Sequence, residues 1–304
     1  MVQLPVTGGR ASFFNLGGIF LNLVIALLPA LGWGLNPLLI SKIGGKPVNQ
    51  TLGTGLGALV VGLIVQLMYQ PHVSGTTFLL SALSGAFWVL GQIGQYTAYS
   101  RMGVSSTMPI STGVQLVGTS VIGVLMFGEW GGTTAKLVGF AAIILMIIGV
   151  AMTAVTDNTE SRAGLASGLT VLLPTTVGYW IYSALPKAVS ASGVAIFFPQ
   201  MLGMCLAALI YALVVGRGRA FREKTSWLNM LAGLIFGVSA LAYIFSAKAN
   251  GVATAYVITQ LSVVISTLGG MLVLHEQKTL RELRLTLMGL VLIVVGSVMT
   301  AFLG

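Results

Sequence analysis

Ile147-Ile148-Gly149-Val150-Ala151-Met152-Thr153-Ala154 returns 147 residues further on as Val294-Val295-Gly296-Ser297-Val298-Met299-Thr300-Ala301. At the same displacement Tyr96 falls on Tyr243, Gly123 on Gly270, Arg101 on Lys248 and Glu129 on Glu276. Leu28-Pro29, thirteen residues before Lys42, is answered by Leu173-Pro174, thirteen before Lys187, at a displacement of 145. Gly-rich apolar stretches resemble one another easily, but polar landmarks sharing a displacement do not. The chain is read as an internal duplication with small gaps.

Around these landmarks, apolar runs of about 20 residues recur, each long enough to cross a bilayer core. They lie near 19–40, 50–69, 77–99, 104–127, 133–155, 164–185, 193–215, 227–247, 252–274 and 284–303. The organisation expected is an N-terminal segment (1–18), a first repeat (19–155), a connecting loop (156–163) and a second repeat (164–304). Arg10 without a small-residue cleavage site argues against a cleaved signal. Five spans per repeat is an odd number, so the second repeat enters the membrane upside down. The fold class expected is therefore all-α integral membrane, ten transmembrane helices built as two inverted five-helix repeats. Secondary transporters commonly have this architecture, with the substrate site at mid-membrane between the repeats.

Composition excludes the other classes. Of 304 residues 56% are hydrophobic and 7% charged, against about 25% charged in a soluble domain. That rules out a soluble enzyme, a disordered tail and a disulfide scaffold; Cys205 is the only cysteine. No strand precedes a Gly-rich loop, so no nucleotide cofactor is expected, and His72 and His275 lack the companions a metal needs. The net charge of +9 sits in short clusters between apolar runs, which speaks for orientation in lipid and against nucleic acid. Connections after the odd-numbered helices hold eleven Lys and Arg, from Lys42 to Arg284; the other side holds Arg10, Lys136, Lys187 and Lys248. The positive-inside rule then puts the odd connections in the cytoplasm and both termini outside.

No charged residue or histidine lies in the middle third of any expected helix. A charge at mid-bilayer is costly and marks an ionic pathway, so the substrate is read as uncharged, or its charge as met by helix ends. Neutral polar residues stand there instead. Trp88, Gln92, Gln95, Tyr96 and Tyr99 share one face of the third helix. Trp33 and Asn36, flanked by Pro29 and Pro37, repeat the idea in the first helix, and Gln115 stands near Ser111 and Thr112 in the fourth. Tyr179, with Thr175 and Tyr182, serves the sixth helix, and Gln260, with Tyr256 and Thr259, the ninth. Amides offer donors and acceptors to adjacent hydroxyls, and aromatic rings cover the C–H face of a pyranose. The same residues also serve as interhelical glue or as interfacial anchors. Substrate contact is assigned to Trp33, Asn36, Trp88, Gln92, Gln95, Gln115, Tyr179 and Gln260.

The duplicated charges suggest gates. Arg101 and Glu129 end neighbouring helices on opposite sides of the membrane; Lys248 and Glu276 do so in the inverted copy. Two cross-repeat pairs are expected, Arg101–Glu276 and Lys248–Glu129, each latching one mouth; independent snorkelling to the interfaces is the plainer alternative. Pro29 and Pro174 free backbone carbonyls at matching places, as kinks beside a site or as plain packing kinks.

Pro29-Ala-Leu-Gly-Trp-Gly, Asn49-Gln-Thr-Leu-Gly-Thr, Ser84-Gly-Ala-Phe-Trp, Met108-Pro-Ile-Ser-Thr-Gly-Val-Gln-Leu and Gly128-Glu-Trp resemble the glucose/ribose porter family of the drug/metabolite transporter superfamily. The resemblance covers the whole chain and implies monosaccharide uptake through a bacterial inner membrane, coupled to protons. It also implies cytoplasmic termini, opposite to the charge count. Proton coupling calls for an embedded carboxylate, for which Glu129 and Glu276 are the best-placed residues. The expectation is a permease for a neutral monosaccharide such as glucose or ribose, working by alternating access, with sugar, lipid and protons as partners. Uniport of sugar, a carrier of another small neutral or lipophilic metabolite or drug, and a non-transporting membrane partner or sensor are the alternatives.

Overall fold

The computed structural model describes residues 10–303, with side-chain surroundings from residue 24 onward. Residues 1–9 of the expected N-terminal segment lie outside the described residues. Among the described residues ten helical stretches are long and apolar enough to span a membrane. The first five are single helices: α1 (Arg10–Ile43), α2 (Pro47–Tyr69), α3 (Gly75–Met102), α4 (Val104–Phe127) and α5 (Thr133–Thr153). The sixth span is jointed into α6 (Thr159–Thr175) and α7 (Val177–Ala184), and the seventh is α8 (Gly193–Val214). The eighth joins α9 (Lys224–Leu228) to α10 (Met230–Asn250), and the ninth α11 (Val252–Thr259) to α12 (Leu261–Val273). The last is α13 (Leu280–Ala301).

The joint in the sixth span follows Pro174. Proline removes one helical hydrogen bond, and the next two residues compete for what remains: Thr175 Oγ1 donates to the Val171 carbonyl at 2.7 Å and Thr176 Oγ1 to Leu172 at 2.8 Å. Side-chain donors that take backbone acceptors bend a helix. Pro29 is followed by Ala30 and Leu31, which offer no such competition, and α1 runs through it unbroken. The matched prolines therefore produce one joint.

Helix contacts fall into couples related by exchanging the halves. α3 packs on α8 as α10 packs on α2; α1 meets α10 as α3 meets α6 and α7; α4 meets α5 as α11 meets α13. The pairs α2–α8, α4–α12 and α5–α13 bring matching spans together. The recurring octapeptides lie on α5 and α13, each packed against the residues just before the other copy. A Cβ on Gly149 would stand 2.6 Å from the Gly289 carbonyl oxygen, and one on Gly296 2.8 Å from that of Ala142. Glycine is required there because helix backbones touch, the usual device where lipid removes the apolar driving force. This set of contacts is compatible with two inverted repeats. Large apolar side chains such as Leu67, Leu125 and Leu272, each more than 70% exposed, form the outer face.

Candidate functional site

The polar face of α3 opens onto a cavity of about 240 Å³. Trp88, Gln92, Gln95, Tyr96 and Tyr99 supply one wall. Trp33, Asn36 and Ile40 of α1, Met108, Thr112 and Gln115 of α4, Tyr179, Tyr182 and Ser183 of the sixth span, and Phe236 of α10 supply the others. Seven of the eight residues assigned from sequence line this one space. Helical periodicity explains the agreement, since residues three and four apart share a face.

Glycines set how closely the walls approach. A Cβ on Gly91 would lie 2.7 Å from the Tyr179 ring, and one on Gly178 would lie 2.3 Å from the Phe87 carbonyl oxygen. Bare backbone on both helices thus lets α7 lie on α3 with the Tyr179 ring between them. Gly32 and Gly34 do the same around Trp33: their Cβ atoms would meet Ser239 of α10 and Ile265 of α12. α1 is wedged between those two helices, which leaves Trp33 and Asn36 facing the cavity.

The polar atoms form a short chain. Tyr179 Oη lies 2.7 Å from Gln92 Oε1 and 2.5 Å from Gln95 Oε1. One phenol proton cannot serve both oxygens. The chain closes when Gln92 turns its amide so that Nε2 donates to Tyr179, Tyr179 donates to Gln95, and Gln95 Nε2 donates to Met108 Sδ at 3.2 Å. Gln92 Oε1 is then left over as an acceptor. Tyr99 Oη also donates to Met108 Sδ, and Tyr96 Oη shares a 2.8 Å hydrogen bond with Thr54. Among the described residues eight buried side-chain polar atoms have no partner, two of them on residues of this lining: Trp33 Nε1, a donor, and Asn36 Oδ1, an acceptor, one helical turn apart. Aromatic rings complete the walls, with Trp88 and Phe236 centroids 4.7 Å apart and Trp88 edge-on to Tyr179 at 6.5 Å.

Residues 24–303 match the model of a family described as sugar transport protein. The chain belongs to the sugar transport protein family. It is 47% identical over 282 residues to a Lactiplantibacillus plantarum protein provisionally named a sugar uptake protein, covering 92% of this chain and 99% of that one. A Latilactobacillus sakei protein provisionally named a ribose uptake protein is 42% identical over 289 residues, 93% of this chain and 98% of its own. A solved chain overlays 93% of this one and 99% of itself with a TM-score of 0.59 at 14% identity, a likeness of fold alone. Ten apolar spans and bacterial relatives make this family member a multi-pass bacterial membrane protein.

Several expectations about this sugar transport family member need correction. Gln260 is buried but does not line the cavity. It forms the joint between α11 and α12, and its Nε2 lies 3.4 Å from the Tyr256 carbonyl oxygen. The expected gating pairs are replaced by others. Arg101 donates to the Ser167 carbonyl at 2.7 Å, because α3 ends against α6. Glu276 accepts from the backbone N–H groups of Val104 and Ser105, the unsatisfied donors at the start of α4. Glu129 forms an ion pair with Lys187, and Lys248 is exposed. Phe236 was missed, although Ser239 and Tyr243 stand three and seven residues further along α10 on the same face, and Tyr243 meets Trp33 as Phe236 does. Asn49, which joins α2 to Glu223 at 2.8 Å and Ser226 at 2.9 Å, was likewise given no role.

Proposed function

We infer that the chain is a permease that carries a neutral monosaccharide across the bacterial inner membrane by alternating access, binding it in the cavity between α1, α3, α4 and α7. Trp33 and Asn36, one helical turn apart on the cavity wall, carry this reading: an indole N–H donates, and an amide both donates and accepts. A sugar hydroxyl does both in return. Gln92, Gln95 and Gln115 offer further amides, and Trp88 and Phe236 offer ring surface for C–H groups. No charged side chain lines the cavity, which supports a neutral substrate. The names of the relatives favour a sugar, and one of them ribose.

Proton coupling, where present, falls to Glu129 and Glu276 at the helix ends. A separate crevice of about 400 Å³, walled by Gly113, Val117, Val121, Ile147 and Trp180, is the observation that favours a lipophilic substrate; its lack of polar partners suits an acyl chain better than a sugar. Reconstituted vesicles given labelled ribose or glucose, with a pH-sensitive dye inside, test the assignment. Saturable uptake that falls in Asn36→Ala and Gln92→Ala is the expected result. No saturable uptake of any monosaccharide overturns it.

A further inference from the structure

Glu129 and Glu276 occupy matching turns. Each follows a residue in the left-handed region, Gly128 (φ 67°) and His275 (φ 57°). Each returns its N–H to a carbonyl six residues back, Glu129 to Gly123 and Glu276 to Gly270, both at 3.1 Å. Every position in this description is displaced by 147 between the halves. The carboxylates nevertheless have different partners. Glu276 reaches into the other half and caps α4, taking Val104 N–H at 2.6 Å and Ser105 N–H at 2.8 Å. Glu129 instead pairs with Lys187 at the end of the sixth span, whose ammonium lies 5.5 Å from the Phe127 ring centroid.

Each of these partners has an unused counterpart. α11 starts at Val252 after Gly251 (φ 84°, ψ 150°), as α4 starts at Val104 after Gly103 (φ 77°, ψ 166°). Lys42, in the last turn of α1, answers Lys187 in the other half. The capped helix start is buried, with Val104 1% and Ser105 2% exposed, whereas Val252 is 67% exposed. Lys42 is exposed as well. One mouth is thus drawn shut by a glutamate reaching across the repeats. At the other, the glutamate is held by a lysine at the end of the sixth span, and the helix start that answers α4 lies open.

We propose that Glu129 and Glu276 exchange partners during transport, making Lys42 and Lys187 positioning residues of the cycle. At a shut mouth the glutamate caps the helix start of the opposite repeat; at an open mouth a lysine holds it. In the opposite-facing state Glu129 caps Val252 and Ala253 and releases Lys187, while Glu276 leaves α4 and pairs with Lys42. A carboxylate on a helix start satisfies orphan N–H groups and meets the positive end of the helix dipole. That cap can leave only when water reaches the helix start, which is what opening the mouth does. The lysine then gives the displaced carboxylate a charged partner, so neither state leaves it alone. This mechanism rests on the alternating-access reading above and adds two residues that have no part in the cavity.

The test reads the two mouths directly, with the full chain in detergent so that a maleimide reaches both faces. In a Cys205→Ser background, Val104→Cys or Val252→Cys supplies the only thiol; Glu276 bonds the backbone at position 104, so the cap survives the substitution. Lys187→Ala should slow labelling at 252 and speed it at 104, changing the ratio about threefold to fivefold, the ceiling for a partly exposed pair. Lys42→Ala should move the ratio the opposite way, and Lys187→Arg should leave it at the parent value. Lys42→Glu combined with Glu276→Lys keeps an ion pair but loses the cap, because an ammonium accepts nothing, so labelling at 104 should rise. Unchanged ratios, or both positions labelling faster together, overturn the exchange. Reciprocal labelling in a chain that takes up no sugar would sink the sugar reading and leave the exchange standing.

Discussion

The Tyr179 ring rests on bare backbone at Gly91: a Cβ there would fall 2.7 Å from ring atoms Cγ and Cδ2. The polar chain through Gln92 and Gln95 depends on that fit, because Tyr179 can reach both amides only while its ring lies flush against α3.

Gly91→Ala should therefore push Tyr179 off α3 and weaken transport more than it weakens the fold. Overpacking costs typically about 1–3 kcal/mol. The same displacement should break the contact to Gln92 and Gln95 and lower uptake about tenfold. Uptake at the parent level with normal thermal stability would show that the tyrosine has room to spare.

Tyr179→Phe keeps the ring and removes the bridging hydroxyl. Gln95 Oε1 loses its donor and the Gln92 amide its acceptor, at about 1 kcal/mol for a net hydrogen bond. The expected result is a KM raised roughly fivefold with little change in maximal rate, read from uptake at graded sugar concentrations.

Asn36→Ala separates a ligand contact from glue. Asn36 Oδ1 has no hydrogen-bond partner within the protein, so removing it should leave the melting temperature of the sugar-free protein unchanged or slightly raised. The stabilisation that sugar confers by binding the folded state alone should be lost. A large drop in sugar-free stability would mark Asn36 as a structural residue.

Gln260 and Gln115 look alike in sequence, each within three residues after a threonine in a span of its own half, and the structure tells them apart. Both bond back to their own helix, Gln115 to Ser111 at 2.9 Å and Gln260 to Tyr256 at 3.4 Å, but only Gln115 lines the cavity. Gln115→Ala should raise the KM for sugar, and Gln260→Ala should leave it within about twofold, its effect falling on stability at the size of one weak hydrogen bond. Equal KM effects would return Gln260 to the binding site.

These contrasts show which placements could be read from the chain. Trp88, Gln92, Gln95 and Tyr99 line one wall because the helical repeat alone places them on one face. Trp33 and Asn36 followed from the same rule. Phe236 was not singled out, although Ser239 and Tyr243 share its face of α10 at helical spacing. The pairings of Glu129 and Glu276 failed because the duplication marks which residues correspond but not which neighbour each one meets. Lys187 was already a landmark of the repeat, yet only helix packing brings it beside Glu129.

The sequence by itself determined the ten spans, the duplication and the neutral, amide-rich character of the faces that became the cavity. These are one-dimensional quantities, set by run length, period and spacing. Tertiary structure decided which faces meet, that Gln260 is a joint, and that the duplicated glutamates take different partners. The physical reason is that a sequence repeat constrains both halves alike, whereas in the folded chain corresponding residues meet different neighbours. Two equivalent carboxylates can differ only through what packs against them, and packing here is set by glycine contacts such as Gly91 with Tyr179 and Gly149 with Gly289.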